Sequence, residues 1–148
     1  MKKQSTLRDR ALGLLARREH SRRELARKLA AHAGPEDDLE ALLDDLQRRK
    51  LLSDERYAES RAHALSRKFG AARIAQELRA RGLDKGLAEQ ASAAARVTEV
   101  ERARAVWLRK FKHPPGNRDE RARQMRFLQS RGFSFDAIRA VIRGADED

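Results

Sequence analysis

The side chains that most often carry catalytic or metal chemistry are sparse in this sequence. It contains no cysteine, which excludes disulfides and thiol nucleophiles. Its four histidines are scattered among arginine-rich segments, at His20, His32, His63 and His113. Metal sites need ligands that converge, and lone histidines in such segments are typical of the protein surface. The sequence therefore predicts surface histidines and neither a metal nor another cofactor.

A cluster of aspartates is the remaining candidate for catalysis: Asp37, Asp38, Asp44 and Asp45. Two-metal nucleases hold their ions with converging carboxylates. Here the aspartates fall at the start and on the outer side of one predicted helix, which favours solvated side chains. The sequence also contains no glycine-rich phosphate loop and no nucleophile elbow. We therefore expect a protein that is not an enzyme.

Basic side chains are the abundant chemical feature of the sequence. Lysine and arginine total 34 against 23 aspartates and glutamates, which gives a formal net charge of +11 at pH 7. This excess is larger than solubility requires and predicts a polyanionic partner, because a cation that neutralises a phosphate releases condensed counterions. The alternative is an even scatter of cations over a solvated surface, and their positions along the chain decide between the two.

Helices must position these cations, because leucine, alanine, arginine, lysine and glutamate dominate while β-branched and aromatic residues are scarce. The apolar spacing predicts nine helices. Ser21 with Glu24 and Thr98 with Glu101 have the spacing of capping boxes, and Ser53 is a further predicted N-cap. An all-α fold follows, with narrow apolar stripes because charged residues make up 39% of the chain.

The nine predicted helices fall into three similar units. Residues 77–84, ELRARGLD, align without gaps with residues 127–134, FLQSRGFS. The first helix of each unit also ends in a pair of basic residues. Each unit is too small to bury its apolar faces well alone, and stacking would supply the missing contact. We therefore expect three-helix repeats over residues 1–52, 53–96 and 97–148, stacked into an elongated, curved solenoid.

The excess cations lie on the first and second helices of the predicted units, whereas the third helices are acidic or neutral. Stacking would align these cations into a stripe on the concave surface, suited to a phosphate backbone or to the acidic side of a filament. Some of them are expected to pair with carboxylates of the same chain. The predicted binding residues are Arg17, Arg18, Arg22, Arg23, Lys28, Arg67, Lys68, Arg73, Arg79, Arg81, Arg109, Lys110, Lys112, Arg121 and Arg126.

Sequence-specific reading of DNA bases is weakly supported. Residues 81–84 could form the turn of a helix-turn-helix, but the next helix offers few side chains that read bases, such as Lys85 and Gln90. The few aromatic residues mostly occupy core positions, Trp107 among them, which disfavours stacking on single strands. A stand-alone helical protein that binds DNA or RNA remains an alternative, as does an adaptor for acidic protein surfaces.

Three stretches of the sequence resemble the RecX family of regulatory proteins. The first is residues 18–29, REHSRRELARKL, which is similar to the pattern of the family's first repeat. The second comprises LSDERYA at residues 52–58, RKFG at 67–70 and RIAQEL at 73–78. The third is RFLQSRGF at residues 126–133. Each pattern is loose, but their order and spacing together are specific and extend over nearly the whole chain.

The chain departs from the family pattern at two loops. Lys50 and Leu51 stand where the family commonly has a glycine and an aromatic residue. Ala71 and Ala72 follow Gly70 where a proline is frequent. The backbone geometry of these two loops is therefore expected to differ from that of typical relatives.

The resemblance implies a non-enzymatic regulator of DNA repair, recombination and the SOS response. It implies binding to filaments of the RecA recombinase on single-stranded DNA, with double-stranded DNA as a further partner. Such a protein lies in the helical groove of the filament and inhibits ATP hydrolysis and strand exchange. We also expect a cytoplasmic monomer with no membrane partner, because no secretory signal and no apolar run long enough to span a bilayer occur.

Overall fold

Nine helices form the regular structure of residues 6–147, the part of the chain that the computed structural model describes, and no strand occurs in that part. The helices are α1 (Leu7–Arg17), α2 (Arg22–Ala30), α3 (Leu39–Arg48), α4 (Asp54–Leu65), α5 (Ala71–Ala80), α6 (Lys85–Val97), α7 (Glu99–Lys110), α8 (Arg118–Ser130) and α9 (Phe135–Glu147). The prediction of an all-α chain is confirmed.

Three separate apolar cores divide the helices into consecutive units of three. Leu25 lies in the core of α1–α3, Ile74 in that of α4–α6 and Trp107 in that of α7–α9. The molecule exposes 10165 Å² of surface, whereas a compact protein of this mass exposes about 7,700 Å². The units therefore lie in tandem, which confirms the predicted elongated fold of three-helix repeats. The residue boundaries between the units stay a prediction.

The turn before the third helix of the second and third units contains a glycine in the left-handed region. Gly82 has φ 88° and Gly132 has φ 85°, and the sequence alignment had paired these two positions. Lys50, one of the departures from the family pattern noted in the sequence, also has a positive φ, of 62°. A side chain is unfavourable in this conformation, so the departure at Lys50 places strain in the backbone.

Side-chain caps start several helices as the spacing predicts. Ser21 and Ser53 each accept a hydrogen bond from the backbone amide three residues later, at 3.0 and 3.2 Å. Glu24 does not complete the predicted capping box at Ser21, because its carboxylate binds Arg18. The predicted capping box of Thr98 with Glu101 is wrong, because the Thr98 side chain caps no backbone amide and its Oγ1 accepts from Arg102 Nε at 3.0 Å. A local bond from the Arg102 side chain, one turn into α7, therefore takes the place of a backbone cap at Thr98.

Polar contacts join the second unit to the third. The Gly70 backbone amide donates to the Arg131 carbonyl at 2.8 Å, and the Ala71 amide donates to the buried Glu99 carboxylate at 2.9 Å. Arg102 donates to two backbone carbonyls of the turn after α4, at 2.8 and 2.6 Å. Burial lowers the pKa of Arg102, and the neighbouring Glu99 carboxylate opposes this shift. The third unit thus caps α5 of the second, whose own N-cap is a glycine.

The first and second units are also joined by polar groups. The Arg22 backbone amide donates to Asp54 Oδ1 at 2.7 Å, and Arg56 Nε lies 2.7 Å from Glu19 Oε1. The apolar cores of the described residues each stay within one unit. We expected stacking to bury the apolar faces of neighbouring units against each other. The junctions are instead built from hydrogen bonds and ion pairs.

Candidate binding grooves

Three of the predicted binding residues are held by partners within the first unit. Arg18 makes two hydrogen bonds to the Glu24 carboxylate, at 3.0 and 2.7 Å, and these lower the pKa of Glu24. Arg22 pairs with two carboxylates of α3, at 2.8 and 2.7 Å. Lys28 Nζ lies 3.0 Å from His20 Nε2 and 3.8 Å from Glu24. These cations are thus largely neutralised by the chain itself, and acidic α3 supplies part of the counter-charge.

Arg73 belongs to the junction between the second and third units. Its guanidinium lies 4.7 Å from the centre of the Phe69 ring, donates to the Ser130 carbonyl at 3.1 Å and lies 3.3 Å from the Glu77 carboxylate. The aliphatic part of the side chain packs closely against Gly132, where an added Cβ would lie 2.2 Å from Arg73 Cβ. The contacts of this predicted binding residue are those of an interface between units.

Cations from two units converge on a groove between the second unit and the third. We call it the second inter-unit groove; it has a volume of about 450 Å³ and is lined by Arg67, Lys68, Val106, Arg109, Lys110, Phe127 and Arg131. Arg109 donates to the Arg67 carbonyl at 2.8 Å, which ties the end of α7 to the turn after α4. None of the five cations forms an ion pair with a carboxylate of the described residues. The groove therefore presents uncompensated positive charge.

A smaller groove of about 370 Å³ lies between the first unit and the second. We call it the first inter-unit groove; it is lined by Ser21, Arg23, Glu24, Arg27, Tyr57, Ala80 and Arg81. Arg81 Nη1 lies 3.3 Å from the hydroxyl of the buried Tyr57. Arg23 passes over Gly82, where an added Cβ would lie 2.3 Å from Arg23 Cδ. Three guanidinium groups and a phenolic hydroxyl thus line this groove together with the Glu24 carboxylate, which is bound by Arg18.

The other predicted binding residues lie apart from the two grooves. Arg17 and Lys28 line a separate depression with His32, and Lys112 lines another beside Pro114. The remaining three are exposed on α5 and α8 and, within the described part of the chain, line neither inter-unit groove: Arg79, Arg121 and Arg126. The predicted residues are therefore not brought together at one place, and a single concave stripe stays a prediction.

Two groove residues, Arg27 and Arg131, are absent from the predicted set. The internal repeat contained a signal for one of them, because Arg131 aligns with Arg81 and each arginine precedes a glycine of positive φ. Arg81 lines the groove between the first and second units, and Arg131 lines the groove between the second and third. The alignment of the two repeats predicts Arg131 as a site residue when it is applied to binding residues as well as to helices.

The prediction of surface histidines is wrong for His20, which is 1% exposed. Its Nδ1 lies 3.1 Å from the Arg18 carbonyl, and its Nε2 lies 3.0 Å from Lys28 Nζ. Burial lowers the pKa of His20, so the ring is neutral at pH 7. A neutral ring satisfies both contacts, because Nδ1–H donates to the carbonyl while Nε2 accepts from the lysine. The ring is thus held between the end of α1 and Lys28 of α2, an arrangement that helical spacing does not reveal.

The aspartate cluster has a structural role. The Asp38 side chain caps α3, and that of Asp37 accepts from the Gly34 amide at 2.8 Å. Asp45 is half-buried against Arg8, and this contact lowers the pKa of Asp45. Among the described residues, no three histidine, cysteine, aspartate or glutamate side chains are grouped so that they could hold a metal ion. In that same part of the chain no helix has the length and apolar character needed to cross a bilayer.

Family comparisons cover all three units of the chain. Residues 8–46, 53–91 and 98–142 match the models described as the first, second and third three-helix domains of RecX. Regulatory protein RecX of Leptothrix cholodnii is 53% identical over 145 residues, which cover 98% of this chain and 92% of the relative. Regulatory protein RecX of Ralstonia nicotianae is 47% identical over 141 residues, covering 95% and 89%.

Solved structures agree with this assignment at the level of the fold. The crystal structure of RecX from Lactobacillus salivarius superposes with a TM-score of 0.82 at 23% identity, covering 96% of each chain. A second RecX crystal structure has a TM-score of 0.77 at 23% identity and covers 91% of this chain and 69% of its own. Together, the three domain matches and the high identity to relatives show that the chain belongs to the RecX family of regulatory proteins.

Proposed function

We propose that the chain regulates the RecA recombinase by binding RecA filaments on single-stranded DNA through its two inter-unit grooves. Bound in this way it inhibits ATP hydrolysis and strand exchange, and it catalyses no reaction itself. The observation that carries the proposal is the second inter-unit groove, where five cations from two units face solvent with no carboxylate partner among the described residues. Unpaired surface cations held together by the fold favour a polyanionic partner.

The tandem arrangement of the units supports a filament as that partner. The grooves lie at successive junctions, so two weakly binding sites are held at a fixed separation by the fold. Linked sites bind jointly far more tightly than either alone, provided that the partner repeats with a matching spacing. A filament of identical subunits on DNA presents such a repeat. The proposal includes action as a monomer in the cytoplasm, without a cofactor, with units divided at residues 52/53 and 96/97.

A stand-alone DNA- or RNA-binding protein of helix-turn-helix type is the competing function. The turn between α5 and α6 has suitable geometry, since Gly82 has a positive φ. However, α6 begins at the acidic N-cap Asp84, and Glu89 is exposed on it. A helix that enters the major groove usually carries cations and amides at its start. With a single cation, Lys85, beside the acidic N-cap Asp84, the start of α6 favours the filament regulator over this alternative.

The test is a titration of the purified chain into RecA, single-stranded DNA and ATP, with ATP hydrolysis as the readout. A filament regulator reduces the ATPase rate at substoichiometric amounts, whereas a stand-alone binder reduces it only in proportion to the DNA that it covers. Inhibition that requires DNA-saturating amounts of the chain would refute the proposal. Strand exchange between homologous DNA molecules should fall over the same range of concentrations.

A matched pair of variants locates the interaction in the second inter-unit groove. Arg67→Ala/Lys68→Ala removes two groove cations and should raise the concentration needed for half-inhibition by roughly tenfold, at about 0.7 kcal/mol per exposed contact. Lys85→Ala/Arg96→Ala removes the same charge from exposed positions on α6 that line neither inter-unit groove among the described residues. This control should change half-inhibition less than twofold. Equal effects of the two variants would mean that only net charge matters.

A further inference from the structure

The two inter-unit grooves differ in chemistry although both are basic. The cations of the first inter-unit groove are all arginines, accompanied by a tyrosine hydroxyl, and such donors match the oxygens of phosphate. The second inter-unit groove combines its cations with an apolar floor formed by Val106 and Phe127. Val106 is buried and Phe127 is half-buried beneath the cations. An apolar floor serves no purpose for a phosphate, so the second groove suits a different ligand.

A nucleic-acid base is a poor match for this floor. Lys110 Nζ lies 5.6 Å from the centre of the Phe127 ring, and Arg131 Cζ lies 5.1 Å from it. Phe111 makes an edge contact with the same ring, with 5.4 Å between centroids. A base that stacks needs a free aromatic face, and Lys110 and Arg131 already lie over this ring. The groove therefore has the charge to attract a polyanion but does not offer a stacking platform.

We propose that the second inter-unit groove binds an acidic peptide segment that carries an apolar anchor residue. Arg67, Lys68 and Arg109 pair with the carboxylates of the segment at the rim, and its anchor residue covers Val106 and the edge of Phe127. The volume of about 450 Å³ lies in the range of natural ligand pockets and accommodates a short segment, not a folded surface. The inference rests on the proposed function, because the segment belongs to the protein of the filament and not to its DNA.

Binding of two equally charged probes tests the inference, with fluorescence anisotropy as the readout. The first probe is a labelled octapeptide of seven acidic residues around one phenylalanine, blocked at both ends, and the second is the oligonucleotide dT8 with its seven phosphodiester charges. A third probe replaces the phenylalanine of the peptide by serine. The peptide should bind about fivefold more tightly with the anchor than without it, as expected for partial burial of one aromatic side chain.

The same two double variants assign the site. Arg67→Ala/Lys68→Ala should weaken binding of the anchored peptide by about tenfold and binding of dT8 by less than twofold, whereas Lys85→Ala/Arg96→Ala should leave both nearly unchanged. Equal binding of the peptides with and without the anchor would overturn the inference. A loss of dT8 binding as large as the loss of peptide binding would overturn it too, and would make the groove a nucleic-acid site.

Failure of the inference and failure of the proposed function give different results. Inhibition of the RecA ATPase that depends on Arg67 and Lys68, without any binding of the peptide, would refute the inference and leave the proposed function standing. Anchored-peptide binding that depends on the same two residues, without inhibition of the ATPase, would support the inference and refute the proposed function. Circular dichroism of each variant at the assay temperature verifies that the helices remain folded.

Discussion

Substitution of Gly70 tests the close packing of the second unit on the third. Gly70 has an ordinary φ of −78°, so alanine is conformationally acceptable there. The obstacle is space, because a Cβ at this position would lie 2.3 Å from the Gly132 carbonyl oxygen and 2.6 Å from Phe133 Cα. Both neighbours are backbone, so the two units must separate by roughly 1 Å to restore ordinary van der Waals distances.

The cost follows from the hydrogen bonds that this separation breaks. The Gly70 amide loses its bond to the Arg131 carbonyl, worth about 1 kcal/mol, and the Ala71 amide loses its charge-assisted bond to Glu99, worth about 2 kcal/mol. We therefore expect Gly70→Ala to lower the free energy of unfolding by about 3 kcal/mol. Gly13→Ala is the control, since Gly13 lies in α1 and an added Cβ would meet nothing within 4 Å beyond its own stretch of helix backbone; this variant should gain about 0.5 kcal/mol.

Urea unfolding followed by two signals provides the measurement. Trp107 fluorescence reports on the third unit, whereas far-ultraviolet circular dichroism reports on all the helices. Gly70→Ala should lower both midpoints and also move them apart, because α5 loses the cap that the third unit provides. If Gly70→Ala stays within 1 kcal/mol of the wild type and the two midpoints coincide, the role assigned to this junction is wrong.

Three further predictions address the turn at Lys50, buried His20 and the first inter-unit groove. Lys50→Gly should raise the free energy of unfolding by about 0.5 kcal/mol in chemical denaturation, because relief of the left-handed strain exceeds the added entropy of glycine; a decrease would contradict this. The pKa of His20 is lowered in the folded state, so the unfolded chain binds the proton first and stability should fall as pH drops below about 6.5; His20→Gln should flatten this dependence between pH 7.5 and 5. Arg23→Ala/Arg27→Ala should reduce the slope of log K against log salt for single-stranded DNA by about 1.4, and an unchanged slope would exclude phosphate contacts by these residues.

Local sequence signals predict the helices and the turns between them well. Apolar periodicity marks each helix, and the alignment of residues 77–84 with 127–134 identifies two turns whose glycines share a positive φ. Trp107 occupies the core as its spacing predicts, with its Nε1 donating to Gln124 Oε1 at 2.8 Å. Helix positions, turn type and the core side of a helix each depend on residues within a few positions of one another, which is the range over which spacing carries information.

Contacts between distant parts of the chain determine the features that the sequence did not predict. Arg22 and the α3 carboxylates that neutralise it lie 18 and 22 residues apart. Whether an arginine is free to bind a partner therefore depends on how α3 packs beside α2. Glu99 likewise caps a helix whose first residue, Ala71, lies 28 residues away. Charge counts along the sequence predict a basic protein, but tertiary structure determines which cations remain available.

The inter-unit grooves follow from the repeat itself. Each of the last two units ends its second helix with an arginine followed by a glycine of positive φ, Arg81 with Gly82 and Arg131 with Gly132. The glycine lets an arginine of the preceding unit approach closely, since a Cβ there would collide with Arg23 or Arg73. The arginine beside it lines the resulting groove. Close packing and positive charge are thus coupled at each junction, so a repeat selected for stacking also places a basic site wherever two units meet.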